Sequence, residues 1–133
     1  MKRRSKSSKY LKYLPVLIIA VLVVIFIAWG GIWTKSLRVL SPSMSPAIKE
    51  GDSVQVRKCD ISEAKIGDIV TYTPIIGDNT FLTHRVVDIY TDENGEIFLT
   101  TRGDDNNVDD PNPVTKEKFY GIVVRINFMP VKK

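Results

Sequence analysis

A turn that carries three serines follows directly after a short apolar segment, Leu37–Leu40, which is predicted to be a strand. The turn is Ser41-Pro42-Ser43-Met44-Ser45-Pro46, and its two prolines predict a rigid, non-helical backbone. A serine at such a turn can act as a nucleophile, because the backbone holds its hydroxyl exposed. Turns rich in serine and proline are also common as linkers. Composition alone leaves both interpretations open.

His84 is the only histidine in the sequence, so any histidine chemistry must use it. It lies in the β-branched segment Phe81–Tyr90, where strand alternation places it on one face with Leu82 and Val86. One interpretation is a partly buried histidine that makes a structural hydrogen bond. The other is a general base, because imidazole exchanges protons near neutral pH. The segment is compatible with both.

An acidic loop follows the segment Ile97–Thr101 and places four aspartates and two asparagines between positions 104 and 110. A solvated turn is the simplest interpretation. Calcium binding is a second, because carboxylate and amide oxygens cluster there, although the spacing differs from that of an EF-hand. In the third, one carboxylate orients His84 as the last member of a catalytic triad.

The formal net charge of +4 comes from the N-terminal part of the chain. Residues 1–38 contain eight basic residues and no acidic one, whereas in 39–133 the other 11 basic residues face all 15 acidic residues, a net charge of −4. This distribution is not that of a nucleic-acid-binding domain, so we expect no nucleic-acid partner. Cys59 is the only cysteine, which excludes a disulfide scaffold and argues against a Cys/His zinc site. We predict no cofactor and no metal.

An uncharged segment extends from Tyr13 to Thr34. As a helix, its stretch Leu14–Trp33 would be about 30 Å long, the thickness of a bilayer's hydrocarbon core. Six basic residues precede it, so the positive-inside rule places the N-terminus in the cytoplasm. The sequence therefore predicts a basic cytoplasmic tail at 1–13, one transmembrane helix at 14–34 and an extracytoplasmic domain at 35–133, in the cell membrane. A cleaved signal peptide is the alternative, but its apolar core is shorter.

The remainder of the chain has the pattern of an all-β domain. Short segments rich in β-branched and aromatic residues are separated by Gly, Asp, Asn or Pro. The turn signal Asp92-Glu93-Asn94-Gly95 predicts a hairpin, Gly77-Asp78-Asn79 predicts another turn, and Ile61–Lys65 predicts one helical turn. We expect a small antiparallel sheet, with part of its apolar surface facing the bilayer. The predicted strands are Ser53–Arg57, Asp68–Thr73, Phe81–Tyr90, Ile97–Thr101 and Tyr120–Phe128.

Six short motifs follow one another along the domain. They are a serine motif, two Gly-Asp motifs, a His-Arg motif, an acidic motif and a glycine followed by apolar residues: Ser43-Met44-Ser45-Pro46, Gly51-Asp52-Ser53-Val54, Gly67-Asp68-Ile69-Val70, Thr83-His84-Arg85-Val86-Val87, Arg102–Asp110 and Gly121-Ile122-Val123. In type and order they resemble the sequence boxes of type I signal peptidases. The resemblance is to the endoplasmic-reticulum type, which archaea and some Gram-positive bacteria share, peptidase family S26B. It covers about residues 35–130.

The resemblance implies a serine endopeptidase that removes signal peptides from secreted preproteins by acyl transfer at a small-x-small site. It implies Ser43 as the nucleophile, His84 as the base and Asp110 as the acid that orients the imidazole. Asp104 also matches an acid of the family. It is the second candidate after Asp110, either as a structural residue or as an alternative partner of His84. The Ser43 N–H and the Ser41 hydroxyl are implied as the donors of the oxyanion hole.

Two positions depart from the family pattern: Pro42 replaces the usual glycine, and Asp105 stands where the pattern has asparagine. The expected partners are the lipid bilayer and signal peptides, which would bind as an added strand. The alternative from another class is a catalytically silent relative, an assembly or chaperone factor for a dedicated secretion or pilus client. A self-cleaving repressor-type peptidase with a Ser-Lys dyad fits less well, because of the membrane anchor.

Overall fold

The computed structural model describes residues 8–28, 34–77 and 79–131. The chain falls into two compact units, Met1–Trp33 and Thr34–Lys133. In the first unit, helix α1 spans Ser8–Leu11 and helix α2 spans Leu14–Phe26, with a proline in the first turn of α2. Apolar side chains surround α2 on all sides and none of its residues is buried, so within its own unit it has no packing face.

Helix α2 covers the N-terminal part of the predicted transmembrane segment. Its 13 residues are fewer than the roughly 20 that a spanning helix needs. Within the described residues, no helix combines the length and the apolar character required to cross a membrane. Residues 29–33 of the predicted segment, with both tryptophans, lie outside the described residues, so the transmembrane helix stays a prediction.

The second unit is built on one sheet of seven strands: β1 Thr34–Arg38, β2 Ser53–Lys58, β3 Ile69–Tyr72, β4 Leu82–Thr91, β5 Ile97–Arg102, β6 Phe119–Ile126 and β7 Met129–Pro130. The order across the sheet is β1-β2-β6-β3-β4-β5, and β7 also pairs with β6. All of these pairings are antiparallel. The prediction of a mostly antiparallel β domain is confirmed.

The boundaries of five strands differ from the predicted ones by at most two residues, whereas β1 spans Thr34–Arg38 and not the predicted Leu37–Leu40, because its pairing with β2 begins at Thr34. Among those five, the largest difference is at the end of β6, which was expected to reach Phe128 and stops at Ile126. There Asn127 and Phe128 adopt left-handed φ angles of 47° and 66°, which turn the chain back into β7. The local pattern of apolar residues continues through this turn and therefore did not reveal it.

The hairpin predicted around Asp92 is confirmed, since β4 and β5 pair and Tyr90 lies opposite Phe98. Asp92 Oδ1 closes the turn by accepting hydrogen bonds from the N–H groups of Asn94 and Glu96. The predicted helical turn is confirmed as the 3-10 helix Ile61–Glu63. The turn predicted at 77–79 includes position 78, which lies outside the described residues.

Two apolar clusters form the core of the domain. The first packs the 3-10 helix against the strands β3 to β6 and consists of Ile61, Ala64, Val70, Tyr72, Val86, Leu99, Val114 and Ile122. The second packs the serine-bearing turn against β2, β3 and β6 and consists of Met44, Ile48, Val54, Val56, Ile69 and Val123. The turn is thus anchored in the core at the residue directly after Ser43.

Candidate active site

Ser43 is held in place by its neighbours in the turn after β1. Met44 and Ile48 are buried, and the Ile48 N–H donates to the Met44 carbonyl at 2.9 Å. The Ser45 N–H donates to the Pro42 carbonyl at 2.8 Å, which closes the turn around Ser43. The Ser43 side chain is left partly exposed on a backbone that is fixed on both sides.

His84 lies on β4, opposite Val70 of β3, and is only 5% exposed. Its Nε2 is 3.1 Å from Ser43 Oγ, and its Nδ1 is 2.6 Å from Asp110 Oδ2. An ionised carboxylate only accepts hydrogen bonds, so we assign the imidazole proton to Nδ1. The Nε2 lone pair then accepts the hydrogen bond of the Ser43 hydroxyl.

Asp110 reaches His84 from the acidic loop after β5. Its backbone N–H donates to the Thr101 carbonyl at 2.8 Å, and this hydrogen bond holds the end of the loop against strand β5. The structure therefore brings Ser43, His84 and Asp110 into one chain of hydrogen bonds. In such a chain the hydroxyl can lose its proton to an imidazole whose other nitrogen is held in place, the arrangement that acyl transfer needs.

The Asp104 carboxylate lies on Arg85, not on His84. Arg85 Nε and Nη2 donate to its two oxygens at 2.8 and 2.7 Å, and Arg85 Nη1 donates to the Gly67 carbonyl at 2.9 Å. The hydrogen bonds to Asp104 raise the pKa of the Arg85 guanidinium above its usual value. Asp104 thus attaches the acidic loop to β4, and of the two candidate acids only Asp110 contacts the imidazole.

Gly103 allows the acidic loop to approach the serine turn. A Cβ atom at this position would lie 2.5 Å from the Ser43 carbonyl oxygen and 2.8 Å from Asn106 Nδ2. The Asp105 N–H donates to the same Ser43 carbonyl at 3.0 Å. The loop therefore holds the backbone of Ser43 as well as the imidazole of His84.

Ser41 lies beside the candidate nucleophile, with its Oγ 3.2 Å from Ser43 Oγ. When the Ser43 hydroxyl donates to His84, the Ser41 hydroxyl is the donor in this contact, because each hydroxyl has one proton. Ser41 is exposed, so its hydroxyl is able to turn toward a neighbouring group.

A cleft of about 480 Å³ opens beside Ser43. One wall is β1 with the residues that follow it, and the other is the segment that leads into β4. In the described part of the chain β1 is an edge strand that pairs with β2 alone. The apolar side chains that line the cleft are Leu37, Val39, Leu40, Met44, Ile48, Val54, Phe81 and Leu82.

Three residues that support the site were not identified from the sequence. Tyr72 and Thr101 donate hydrogen bonds to Asp110, and Arg85 fastens Asp104. Val70 pairs with His84, so Tyr72, two residues further along β3, lies on the face of the imidazole. The register between β3 and β4 would have revealed this, but the turn signal Gly77-Asp78-Asn79 lies within the long connection 73–81 and does not set the register.

Two carboxylates of the acidic loop form ion pairs with arginine side chains. Asp104 pairs with Arg85, and Asp109 lies 3.4 Å from Arg102. No group of three or more His, Cys, Asp or Glu side chains within 8–28, 34–77 and 79–131 is arranged to hold a metal ion.

Comparison with known proteins matches residues 10–93 to the family described as signal peptidase, peptidase S26. The matched range is more than half of the chain and contains Ser43 and His84, whereas Asp110 lies beyond it.

Curated relatives of the chain include two subunits named SEC11 and a signal peptidase of Bacillus subtilis. The signal peptidase complex catalytic subunit SEC11 of Scheffersomyces stipitis is 40% identical over 101 residues, 71% of this chain and 59% of the relative. The subunit of the same name from Debaryomyces hansenii is 39% identical over 82 residues, 62% of this chain and 48% of the relative. Signal peptidase I W of Bacillus subtilis is 38% identical over 80 residues, 59% of this chain and 40% of the relative.

The chain spans about half the length of these curated relatives. The family match extends over the strand that carries His84 and the turn that carries Ser43, the two groups that the fold brings within hydrogen-bond distance. The chain therefore belongs to the signal peptidase family, peptidase S26.

Proposed function

We propose that this protein is a membrane-anchored serine endopeptidase that removes signal peptides from secreted preproteins. The observation that carries the proposal is the hydrogen-bonded chain Ser43–His84–Asp110 in a member of the signal peptidase family. Serine, imidazole and carboxylate in this order are the groups that acyl transfer requires, and no cofactor enters the proposed reaction.

In the first half of the reaction, Ser43 Oγ attacks the scissile carbonyl carbon while His84 Nε2 takes the hydroxyl proton. The tetrahedral intermediate collapses to an ester on Ser43, and the imidazolium gives its proton to the leaving amine. In the second half, a water molecule attacks the ester with His84 again as the base, and Ser43 is regenerated. Asp110 holds the imidazole in the tautomer that both halves use.

The negative charge of the tetrahedral intermediate needs hydrogen-bond donors near Ser43. The Ser43 N–H is one donor in our proposal. The second is the Ser41 hydroxyl, since it already lies 3.2 Å from the attacking oxygen and needs only a rotation to reach the oxygen of the bound carbonyl.

Substrate binding is proposed in the cleft between β1 and the segment before β4. An extended peptide would add a strand at the edge of β1 and direct alternate side chains toward the apolar lining. Two small side chains, one and three residues before the cut, would share that face. This arrangement accounts for a small-x-small cleavage site.

The proposed anchor is the single transmembrane helix predicted at 14–34, shortened to 14–33 because Thr34 belongs to β1. A cytoplasmic tail at 1–13 precedes it and the extracytoplasmic domain follows it. The anchor is supported by the uncharged segment and by the basic residues before it. Ser43 lies nine residues beyond Thr34, so the site would work close to the membrane surface, where a signal peptide is still held in the bilayer.

The test is cleavage of a preprotein with an Ala-x-Ala site by the full chain purified in detergent. We expect Ser43→Ala and His84→Ala to lower kcat by about 10⁶-fold, and Asp110→Asn by about 10⁴-fold. Ser41→Ala should cost about 100-fold as the loss of one oxyanion donor. Ser45→Ala, which removes a hydroxyl from the same turn, is the matched control, and Asp104→Asn should cost less than Asp110→Asn.

Three outcomes contradict parts of the proposal. Activity lost in Ser43→Ala but kept in His84→Ala would point to a lysine base. A larger loss in Asp104→Asn than in Asp110→Asn would exchange the roles of the two acids. Absence of cleavage by the folded wild type, across several preproteins, would favour the silent assembly factor.

A further inference from the structure

Two buried hydroxyl groups lie behind Asp110 and take no part in the mechanism above. Thr101 Oγ1 donates to Asp110 Oδ2 at 2.6 Å, and the Tyr72 hydroxyl donates to the same oxygen at 3.0 Å. Thr101 is fully buried and Tyr72 is 5% exposed. The oxygen that accepts both bonds is also the one that contacts His84 Nδ1. One carboxylate oxygen thus receives three donors.

The direction of these bonds follows from the proton count. Burial, followed by the nearby Asp110 charge, raises the pKa of the Tyr72 phenol, which therefore keeps its proton and donates it. The Thr101 hydroxyl also lies 3.3 Å from the Tyr72 oxygen, but it has one proton, and the carboxylate at 2.6 Å is the nearer and stronger acceptor.

The three donors come from three adjacent strands. Tyr72 is on β3, His84 on β4 and Thr101 on β5, and β4 lies between the other two. Thr101 also accepts the Asp110 N–H at its carbonyl, so it holds Asp110 by main chain and side chain together. The pairing of β3, β4 and β5 therefore fixes the position of the Asp110 carboxylate relative to the imidazole of His84.

We propose that Tyr72 and Thr101 are positioning residues that aim the Asp110 carboxylate at His84 and limit how strongly it attracts the imidazole proton. The proposal rests on the proposed function, in which His84 is the base. Two hydroxyl donors take a share of the negative charge of Oδ2. Without them, the same charge would act on the imidazolium alone and would hold the proton on His84 more firmly.

Three other charged side chains of the described structure lie near the pair. Lys118, just before β6, lines a cavity of about 130 Å³ together with Tyr72 and Asp110. On β4, Arg85 is paired with Asp104, and at the end of β5, Arg102 is paired with Asp109. The uncharged Tyr→Phe and Thr→Val changes leave all of these groups in place, so they isolate the effect of the hydroxyls.

His84 is the only histidine, so its titration can be followed by NMR without assignment in the full chain in detergent micelles, labelled at histidine. We expect the NMR signal of His84 to change at a higher pH in Tyr72→Phe and in Thr101→Val than in the wild type. The matched controls are Tyr90→Phe, at a stacked tyrosine on the β4–β5 hairpin, and Thr71→Val, a buried threonine that pairs with Thr83. Both should keep the wild-type midpoint.

A midpoint that stays unchanged or falls in the two variants would overturn the proposal, as would an equal rise in the controls. Tyr72→Phe removes a single oxygen and keeps the ring in the core, so the proposal remains testable if Thr101→Val does not fold. The titration needs no substrate. Failure of the proposed function, seen as absence of cleavage by the wild type, is therefore distinct from failure of this proposal.

Activity gives the second readout. Neither residue lines the cleft, so we expect kcat to fall about 3- to 10-fold in each variant with KM unchanged. The pH–rate profile should shift in the same direction as the NMR titration. A role limited to packing would lower the folded fraction and leave the midpoint where it is.

Discussion

The backbone of Ser43 is controlled as closely as its hydroxyl. Pro42, which replaces a glycine of the family pattern, contributes only its carbonyl, the acceptor for the Ser45 N–H. The missing N–H of proline is not required by this turn, and its fixed φ favours the non-helical backbone there. The substitution is therefore compatible with a fixed nucleophile.

At Gly103, we predict that even an alanine disturbs the site. Its Cβ would lie 2.5 Å from the Ser43 carbonyl oxygen, so the loop or the turn must move. A displacement of this size near a nucleophile costs about 10- to 100-fold in kcat/KM. Steady-state cleavage assays of Gly103→Ala measure it. Val108→Ala, at an exposed position of the same loop, is the control. Equal activity of Gly103→Ala and wild type would contradict the prediction.

The sequence contained enough to identify Ser43, His84 and Asp110 as candidates, because each lies in a motif with recognisable neighbours. It did not reveal Tyr72 and Thr101. All four residues of β3 are buried, so the strand has no polar face whose alternation would single out Tyr72. Their role depends on strand register, which no local pattern encodes.

Among the strands, the hairpin of β4 and β5 was predictable and the middle of the sheet was not. A tight turn with Asn-Gly joins β4 to β5, so sequence neighbours become spatial neighbours. In contrast, β6 pairs with both β2 and β3, and Val54 lies opposite Ile126. Such pairs depend on loop closure over many residues and on the shared core, which a strand-by-strand analysis does not contain.

The β4–β5 turn gives a pH-dependent prediction. Hydrogen bonds, first from the Glu96 N–H and then from Asn94, lower the pKa of Asp92 below its usual value of 3.8. A lowered folded-state pKa contributes stability above the usual pKa, and this stability is lost as the pH falls through the folded value. We therefore expect Asp92→Ala to lower Tm at pH 7, with a difference from wild type that narrows below pH 3.8.

Thermal unfolding followed by circular dichroism at several pH values checks this prediction. Glu93→Ala changes the neighbouring carboxylate of the same turn and serves as the control. A Tm difference between Asp92→Ala and wild type that stays constant down to acid pH would show that the carboxylate charge is not the cause.

Across the whole molecule, charge is divided between the N-terminal part and the domain. The six basic residues before the uncharged segment predict a cytoplasmic N-terminal end for it, and therefore place its other end across the membrane. Single cysteines at Lys12 and Glu93, each in a Cys59→Ser background, test this in intact cells with a membrane-impermeant maleimide. Glu93→Cys should react at once, and Lys12→Cys only after permeabilisation. The reverse order would invert the proposed topology.

Local unfolding of the acidic loop would disrupt two parts of the site together. The same few residues hold the Ser43 carbonyl through the Asp105 N–H and present Asp110 to His84. The amide hydrogens of Asp105 and Asp110 therefore belong to one local opening event, and they should exchange with solvent at a common rate. Opening of this segment would release the Ser43 carbonyl and remove Asp110 from His84 at once. A state in which His84 keeps its acid while the Ser43 backbone is released would therefore have no appreciable lifetime.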